Sequence, residues 1–245
     1  VFISTPSGYI SSLRGGDNCY WQSIEGGKKR YDFALRKNPR DDSRHNLVVI
    51  ADPQISDADE FPSLRHNAAA LKNCYDKIST QAYTLGLCLG DIVGWNHALY
   101  PEYNSIMDST GIEWRNVMGN HDMTNYGRSF EGSTRDYEKM YGPSYYSFNV
   151  GKVHYIVLND NFYVGKDWYY IGYLTEQQLS WLERDLSYVG KDKKVVVSLH
   201  IPTTLREWDR TGYNFNFGHI ADVMCNRKAV YDILAPYDAL ILSGH

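Results

Sequence analysis

The chain lacks the features that mark several large functional classes. It has four cysteines, Cys19, Cys74, Cys88 and Cys225, and none forms a C-x-x-C pair, so neither a disulfide framework nor a thiolate metal site is expected. Cys88 sits inside the apolar run LGLCL and fits a small buried hydrophobe. No apolar stretch reaches the roughly 20 residues a membrane-spanning helix needs. No run of Lys or Arg interleaves with aromatics, and 25 basic against 29 acidic residues leave a formal charge of -4, so nucleic acid is not an expected partner. Repeats and low-complexity tracts are missing too. The sequence opens at Val1 with no charged-then-apolar leader, so any targeting segment would lie outside it.

What remains is an ordinary globular composition: 245 residues, 43% hydrophobic and 22% charged, enough for one large α/β domain or for a domain of ordinary size plus a small appendage. Residues 1–44 are rich in Gly, Ser and charge, with short β-like pieces at VFIS and YDFAL. From residue 45 to 245 apolar β-type runs alternate with helical patterns, which predicts an α/β domain. The expected strands are LVVIA (47–51), LGLCL (85–89), WRNVM (114–118), YYSFNV followed by VHYIVLN, KVVVSL (194–199) and DALILS (238–243). Most are too apolar to alternate, as for strands covered on both faces. Leu64, Ala68, Leu71, Tyr75 and Ile78 share one helical face. Thr175 and Gln178 stand in a capping-box arrangement before LSWLERDL, and Asn226 is expected to cap RKAVYDIL.

The ends of five of these runs carry polar chemistry. LVVIA leads into Asp52 and Gln54, LGLCL into Gly90 and Asp91, and WRNVM into Gly119, Asn120, His121 and Asp122. KVVVSL leads into His200, and DALILS into Gly244 and His245. A lone Asp after a strand is usually a turn former, and a lone His usually a hydrogen-bonded core residue. Loops at the carboxyl ends of strands in an open α/β sheet share one crevice, however, so these side chains are expected to converge. Carboxylates, amides and imidazoles without thiolates suit Mn, Fe, Zn or Mg. The set exceeds what one octahedral ion can use. Two divalent ions bridged by a carboxylate generate hydroxide near neutral pH and clamp an in-line displacement at phosphorus, so phosphoester hydrolysis is the chemistry expected.

These blocks resemble the calcineurin-like metallophosphoesterases, whose pattern runs D-x-H, G-D, G-N-H-D, a later His, and G-H-x-H. The resemblance spans nearly all of 47–245 and implies a metallophosphoesterase-type αββα sandwich, two packed mixed β-sheets flanked by helices. Carried over residue by residue, it implies that Asp52 and Gln54 bind a first metal, that Asp91 bridges, and that Asn120, His200 and His245 bind a second. It places His121 outside the metals, stabilising phosphoryl oxygens or protonating the leaving alkoxide, with Asp122 orienting His121 through its other ring N–H.

The chain departs from the pattern in two places. Gln54 stands where most of the family has His, as in a subgroup with Asp-Pro-Gln, and a neutral amide is usually the weaker donor. The sequence ends at His245, before the last His of G-H-x-H, so residues 45–245 are expected to be a catalytic domain cut short at its C-terminus. VFISTPSGY resembles the last strand of a small β-sandwich that precedes this domain in some exported bacterial phosphoesterases. Residues 1–44 are therefore expected to be a remnant of such a domain plus a linker, in a periplasmic or extracellular setting. Purple acid phosphatases carry a metal-binding tyrosine three residues after the bridging aspartate, where this chain has Gly94, so no tyrosinate-to-iron colour is expected.

Candidate substrate residues follow the same strand ends: Trp95, Asn96 and His97 after Asp91, Arg128 after the GNHD block, and Arg206 after His200. Either arginine offers a bidentate fork to a phosphate oxygen, and the aromatics offer stacking faces or simply pack the loops. The expected partner is a small-molecule phosphoester, with no protein partner foreseen. Two alternatives stay open: a weakly active or non-catalytic module of the same fold that holds a single metal, and a nucleotide pyrophosphatase.

Overall fold

The computed structural model describes residues 1–11, 19–78, 82–165, 169–204 and 219–245. In chain order the strands are β1 (Tyr9–Ile10), β2 (Arg36–Lys37), β3 (His45–Ile50), β4 (Tyr83–Cys88), β5 (Glu113–Asn116), β6 (Tyr146–Val150), β7 (Val153–Val157), β8 (Asn161–Tyr163), β9 (Tyr170–Gly172), β10 (Lys194–Leu199) and β11 (Asp238–Ser243). The helices are α1 (Phe61–Ile78), α2 (Tyr100–Asp108), α3 (Phe130–Ser133), α4 (Arg135–Tyr141), α5 (Glu176–Ser187), α6 (His219–Asp222) and α7 (Arg227–Leu234). None is long and apolar enough, among the described residues, to cross a membrane.

Two sheets form the centre. In one, β3, β4 and β5 pair in parallel; the other runs β11-β10-β7-β6, parallel except where β6 meets β7. The period-2 alternation of strand side chains builds the layers. Leu85 and Leu87 of β4 face Phe148, Tyr155, Val157 and Val196 of the other sheet in a shared core. Cys88 and Trp114 point the opposite way, into Phe61, Leu64, Ala68 and Tyr75 of α1 and Tyr103, Ile106 and Met107 of α2. Ile156, Val195, Val197 and Leu199 likewise face outward, onto Leu179, Leu182 and Leu186 of α5 and Val230 and Leu234 of α7. The order is therefore helix, sheet, sheet, helix, the sandwich expected. Each fully buried Leu or Val contributes about 2 kcal/mol through removal from water.

The start of the chain packs on this body. Asn149 N–H donates to Thr5 O at 2.8 Å along the outer edge of β6, which covers an edge that would otherwise be open. Phe2 meets Trp181 of α5 edge to face, and Cys19 and Tyr20 are buried in the inter-sheet core. The buried Arg115 guanidinium lies 4.9 Å from the Tyr20 ring and 4.5 Å from the Phe148 ring, joining this segment to both sheets by cation–π contact. The strands here are the short pair β1 and β2, in place of the pieces expected at VFIS and YDFAL.

Two helix starts differ from expectation in the same way. Thr175 caps α5, accepting from Gln178 N at 3.2 Å, but the Gln178 side chain does not close the capping box. Its amide accepts from Asn159 N at 2.9 Å and donates to Asn159 O at 2.8 Å. Asn226 makes no side-chain cap on α7 and pairs instead with the N–H and C=O of Leu174, at 3.1 and 2.8 Å. Both amides substitute for a strand neighbour at buried peptide groups that have none. Gln178→Leu leaves the fully buried Asn159 peptide unpaired, so chemical denaturation is expected to show a loss of about 2 kcal/mol or more; a loss within experimental error would show that the amide pairing is dispensable.

Candidate metal centre

The loops that leave β3, β4, β5, β10 and β11 meet at the carboxyl ends of both sheets. Those after β3 and β4 continue to pair beyond the strands: Asp52 N–H donates to Gly90 O at 3.2 Å and Gln54 N–H to Asp91 O at 2.8 Å. They do so through left-handed backbone at Asp52 (φ 53°), Gln54 (φ 44°) and Asp91 (φ 52°), and His245 shares it at φ 70°. Non-glycine residues in this region are strained, and clusters of them gather at functional sites.

Asp91 is the hub, 1% exposed. Its Oδ1 accepts from His121 N–H at 2.8 Å and lies 3.3 Å from His200 Nε2; its Oδ2 accepts from Gln54 Nε2 at 2.9 Å. His200 Nδ1 sits 2.8 Å from Leu89 O, which fixes the ring with Nε2 turned inward, 3.0 Å from Asn120 Oδ1 and 3.2 Å from His245 Nδ1. His245 N–H reaches both Asp52 oxygens, at 3.1 and 3.0 Å, closing the circuit between the two sheets. One ligand atom from each of Asp91, His200 and His245 falls within 4.8 Å of the others. Donors of this kind converging on one point are the set a divalent ion requires, so the residues fit the metal the sequence implies.

The electrostatics agree. Burial alone would raise the Asp91 carboxyl, yet the hydrogen bond and charge of His200 outweigh it and hold Asp91 below the usual range. Burial opposes charge on His200 as well, but Asp91 lifts it to about 9. Burial raises the Asp52 carboxyl, with His200 pulling it back and Asp91 adding to the rise. Burial lowers both His121 and His245, the latter with His200 beside it.

Glycines before these residues make this approach possible. At Gly119 a β-carbon would overlap Asp91 N and Oδ1; at Gly90 (φ 95°) it would stand 2.6 Å from His200 Nδ1. Gly94, the position compared with the tyrosine of purple acid phosphatases, is equally closed, because a β-carbon would overlap the Ser56 hydroxyl.

The residues expected around this cluster fare differently. His121 is beside the hub, its Nε2 3.9 Å from Asp91 Oδ2 and its ring 4.4 Å from Trp95. The expected bond from the His121 ring to Asp122 is not formed. Asp122 is fully buried behind the loop and accepts from Gly119 N, Ile92 N and Tyr100 Oη, tying the loops after β4 and β5 together. His97 buttresses the loop after β5: Nε2 donates to His121 O at 3.2 Å, Nδ1 lies 3.3 Å from Asp136 Oδ2, and the ring stacks on Tyr100. Asn96 and Arg128 are exposed, and Arg206 falls outside the described residues.

Sequence reasoning missed Asp160, Tyr170 and Asp222. Asp160 is fully buried after β7 and accepts from His200 N and Ile201 N, at 3.1 and 3.0 Å, holding the His200 loop. It follows the rule used for the other strand ends, an apolar run closing on a carboxylate. Tyr170 and Asp222 flank His245, at 6.2 Å between ring centroids and 3.9 Å from Nε2; nothing local in the sequence marks them.

Burial raises the Asp160 carboxyl from 3.8 to about 7. Between those values the folded chain keeps a proton that the unfolded chain has released, so this group lowers the stability of the metal-free protein as pH rises through the window. Asp160→Asn removes that contribution. Denaturation of the metal-free variant from pH 4.5 to 6.5 is expected to show a pH slope more positive than wild type by on the order of 1 kcal/mol per pH unit; identical slopes would place the proton elsewhere.

Purple acid phosphatase 15 of Arabidopsis thaliana is 28% identical over 103 residues, 41% of this chain but only 16% of that protein's length. A crystal structure of a dimetal phosphatase from Danio rerio shares the fold with a TM-score of 0.53 at 16% identity, over 81% of this chain and 80% of that one. The model of the calcineurin-like phosphoesterases matches residues 45–245. The strand-end loops, and the side chains they bring together, are carried by a chain that belongs to the calcineurin-like phosphoesterase family.

Proposed function

We propose that the protein hydrolyses phosphoesters with two divalent metal ions. The observation that carries the reading is the convergence of Asp91, His200 and His245 within 4.8 Å, with Asn120 Oδ1 3.0 Å from His200 Nε2, where both sheets end. A calcineurin-like family match and the names of the two relatives, a purple acid phosphatase and a dimetal phosphatase, support it. Asp52 and Gln54 would hold one ion, Asn120, His200 and His245 the other, with Asp91 between them. When bound, the ions supply a nucleophile at neutral pH and neutralise charge on the phosphoryl group.

The chain's own residues do the rest. The Leu89 carbonyl takes the Nδ1–H of His200 and so leaves Nε2 as a lone-pair donor. The hydrogen bond from Gln54 Nε2 to Asp91 leaves the Gln54 amide oxygen as the atom available to a cation. His121, with Nε2 next to Asp91, is placed to donate to a phosphoryl oxygen or to the departing ester oxygen. That oxygen leaves with the electron pair of the P–O bond and takes up the proton.

With Mn added, 4-nitrophenyl phosphate or its bis-ester should be hydrolysed. Chelation should abolish turnover, and Asp91→Ala or Asn120→Ala should lower it by about 100-fold or more. Equal rates in wild type and both variants would refute the reading. Gln54→His places imidazole where the amide stands and is expected to tighten the more weakly held ion without abolishing hydrolysis, measured by metal titration. Unaltered affinity would show that Gln54 is not a ligand.

A further inference from the structure

His121 is held in an unusual way. Its backbone is fixed on both sides, the N–H by Asp91 Oδ1 and the C=O by His97 Nε2, so only the two side-chain torsions remain to aim the ring. A hydrogen bond at Nδ1 commonly fixes such a ring. Here Nδ1 is buried with no hydrogen-bond partner among the described residues, and Asp122 is engaged with Gly119, Ile92 and Tyr100. What lies against the imidazole is the indole of Trp95, with ring centroids 4.4 Å apart and planes inclined at 45°.

Trp95 is itself set by the main chain. It sits in left-handed backbone at φ 72°, which a bulky residue rarely adopts, and its carbonyl accepts from Asn125 Nδ2 at 3.4 Å. The indole is partly buried against the core beneath α1 and α2, and so forms a wall anchored from behind. A strained backbone thus delivers a large ring, backed by the core, onto a polar one in a loop that begins at Asp91.

We propose that Trp95 is the positioning residue for His121: its indole holds the imidazole with Nε2 toward Asp91, in place of the hydrogen bond that Asp122 does not make. This rests on the hydrolase reading for its catalytic consequence, though not for its structural one. It replaces the substrate-contact role the sequence suggests for Trp95. A correctly aimed His121 matters most when the leaving oxygen is strongly basic and needs a proton, and least for a good leaving group such as 4-nitrophenolate.

The test compares phenyl phosphate with 4-nitrophenyl phosphate in wild type, Trp95→Leu, Trp95→Phe, His121→Ala and the double variant Trp95→Leu/His121→Ala. Trp95→Leu should lower kcat on phenyl phosphate by about tenfold or more and on 4-nitrophenyl phosphate by less than about threefold, with KM nearly constant for both. Trp95→Phe, which keeps a ring, should recover most of the loss. In the His121→Ala background Trp95→Leu should have no further effect on the ratio of the two rates. A rise in KM with an unchanged kcat ratio, or an effect that persists without His121, overturns the proposal in favour of substrate contact. A crystal structure of Trp95→Leu provides a readout independent of turnover. The His121 ring should leave its place beside Asp91 while the surrounding loops superpose; a ring that stays put overturns the proposal. Should metal-loaded wild type hydrolyse neither of these esters nor bis(4-nitrophenyl) phosphate, the hydrolase reading fails; in that case, or if it hydrolyses the bis-ester alone, the position of that ring decides the role of Trp95 by itself.

Discussion

Taking a lone carboxylate out of water costs several kcal/mol, and Asp91 is 1% exposed. It stays ionised because three donors reach its two oxygens: Gln54 Nε2 at 2.9 Å, His121 N–H at 2.8 Å and His200 Nε2 at 3.3 Å. These come from the ends of β3, β5 and β10, while Asp91 itself follows β4. Four strand ends from two sheets must therefore be in register before the carboxylate can be buried. The glycines at 90 and 119 are part of the same requirement, since any side chain there would push the hub away from His200 or from the β5 loop. A sheet shifted by one residue would turn every one of these groups to the opposite face.

The same constraint explains why the site suits a cation. With two carboxylates, Asp52 and Asp91, packed near one another, the metal-free chain compensates by holding a proton on His200, raised to about 9 by its bond to Asp91. That proton occupies the electrostatic well a divalent ion would fill, so loading the site releases it. The left-handed residues at 52, 54, 91 and 245 are strained in isolation and are kept by the closed circuit of hydrogen bonds around them. Behind them, Asp122, Asp160 and His97 act on backbone groups and hold the loops from which these side chains project.

Much of this was legible in the sequence because the physics is local. An apolar run followed at once, or after one glycine, by Asp, Asn or His states both a strand and the end at which its loop emerges, and Asp52, Asp91, Asn120, His200 and His245 all stand at such ends. Asp160 obeys the same rule, but the apolar character of VHYIVLN runs on past the end of β7 at Val157 and hides where the strand stops. The partners of polar side chains were less legible. Asp122 follows His121 in sequence, yet its carboxylate turns toward Tyr100 of α2; Gln178 and Asn226 stand where caps stand, yet they pair with peptides in the loops that follow β7 and β9. Residue type shows that a bond will be made, and only tertiary packing shows with what. Residues 1–44 carry too little periodicity for the sequence to reveal that Phe2, Cys19 and Tyr20 join the core.

Anomalous diffraction from crystals of the chain grown with Mn tests the central claim most directly. The account predicts two anomalous peaks about 4 Å apart with Asp91 between them, one flanked by His200, His245 and Asn120 and the other by Asp52 and Gln54. Density for Mn elsewhere on the protein, with none beside Asp91 and His200, would contradict it.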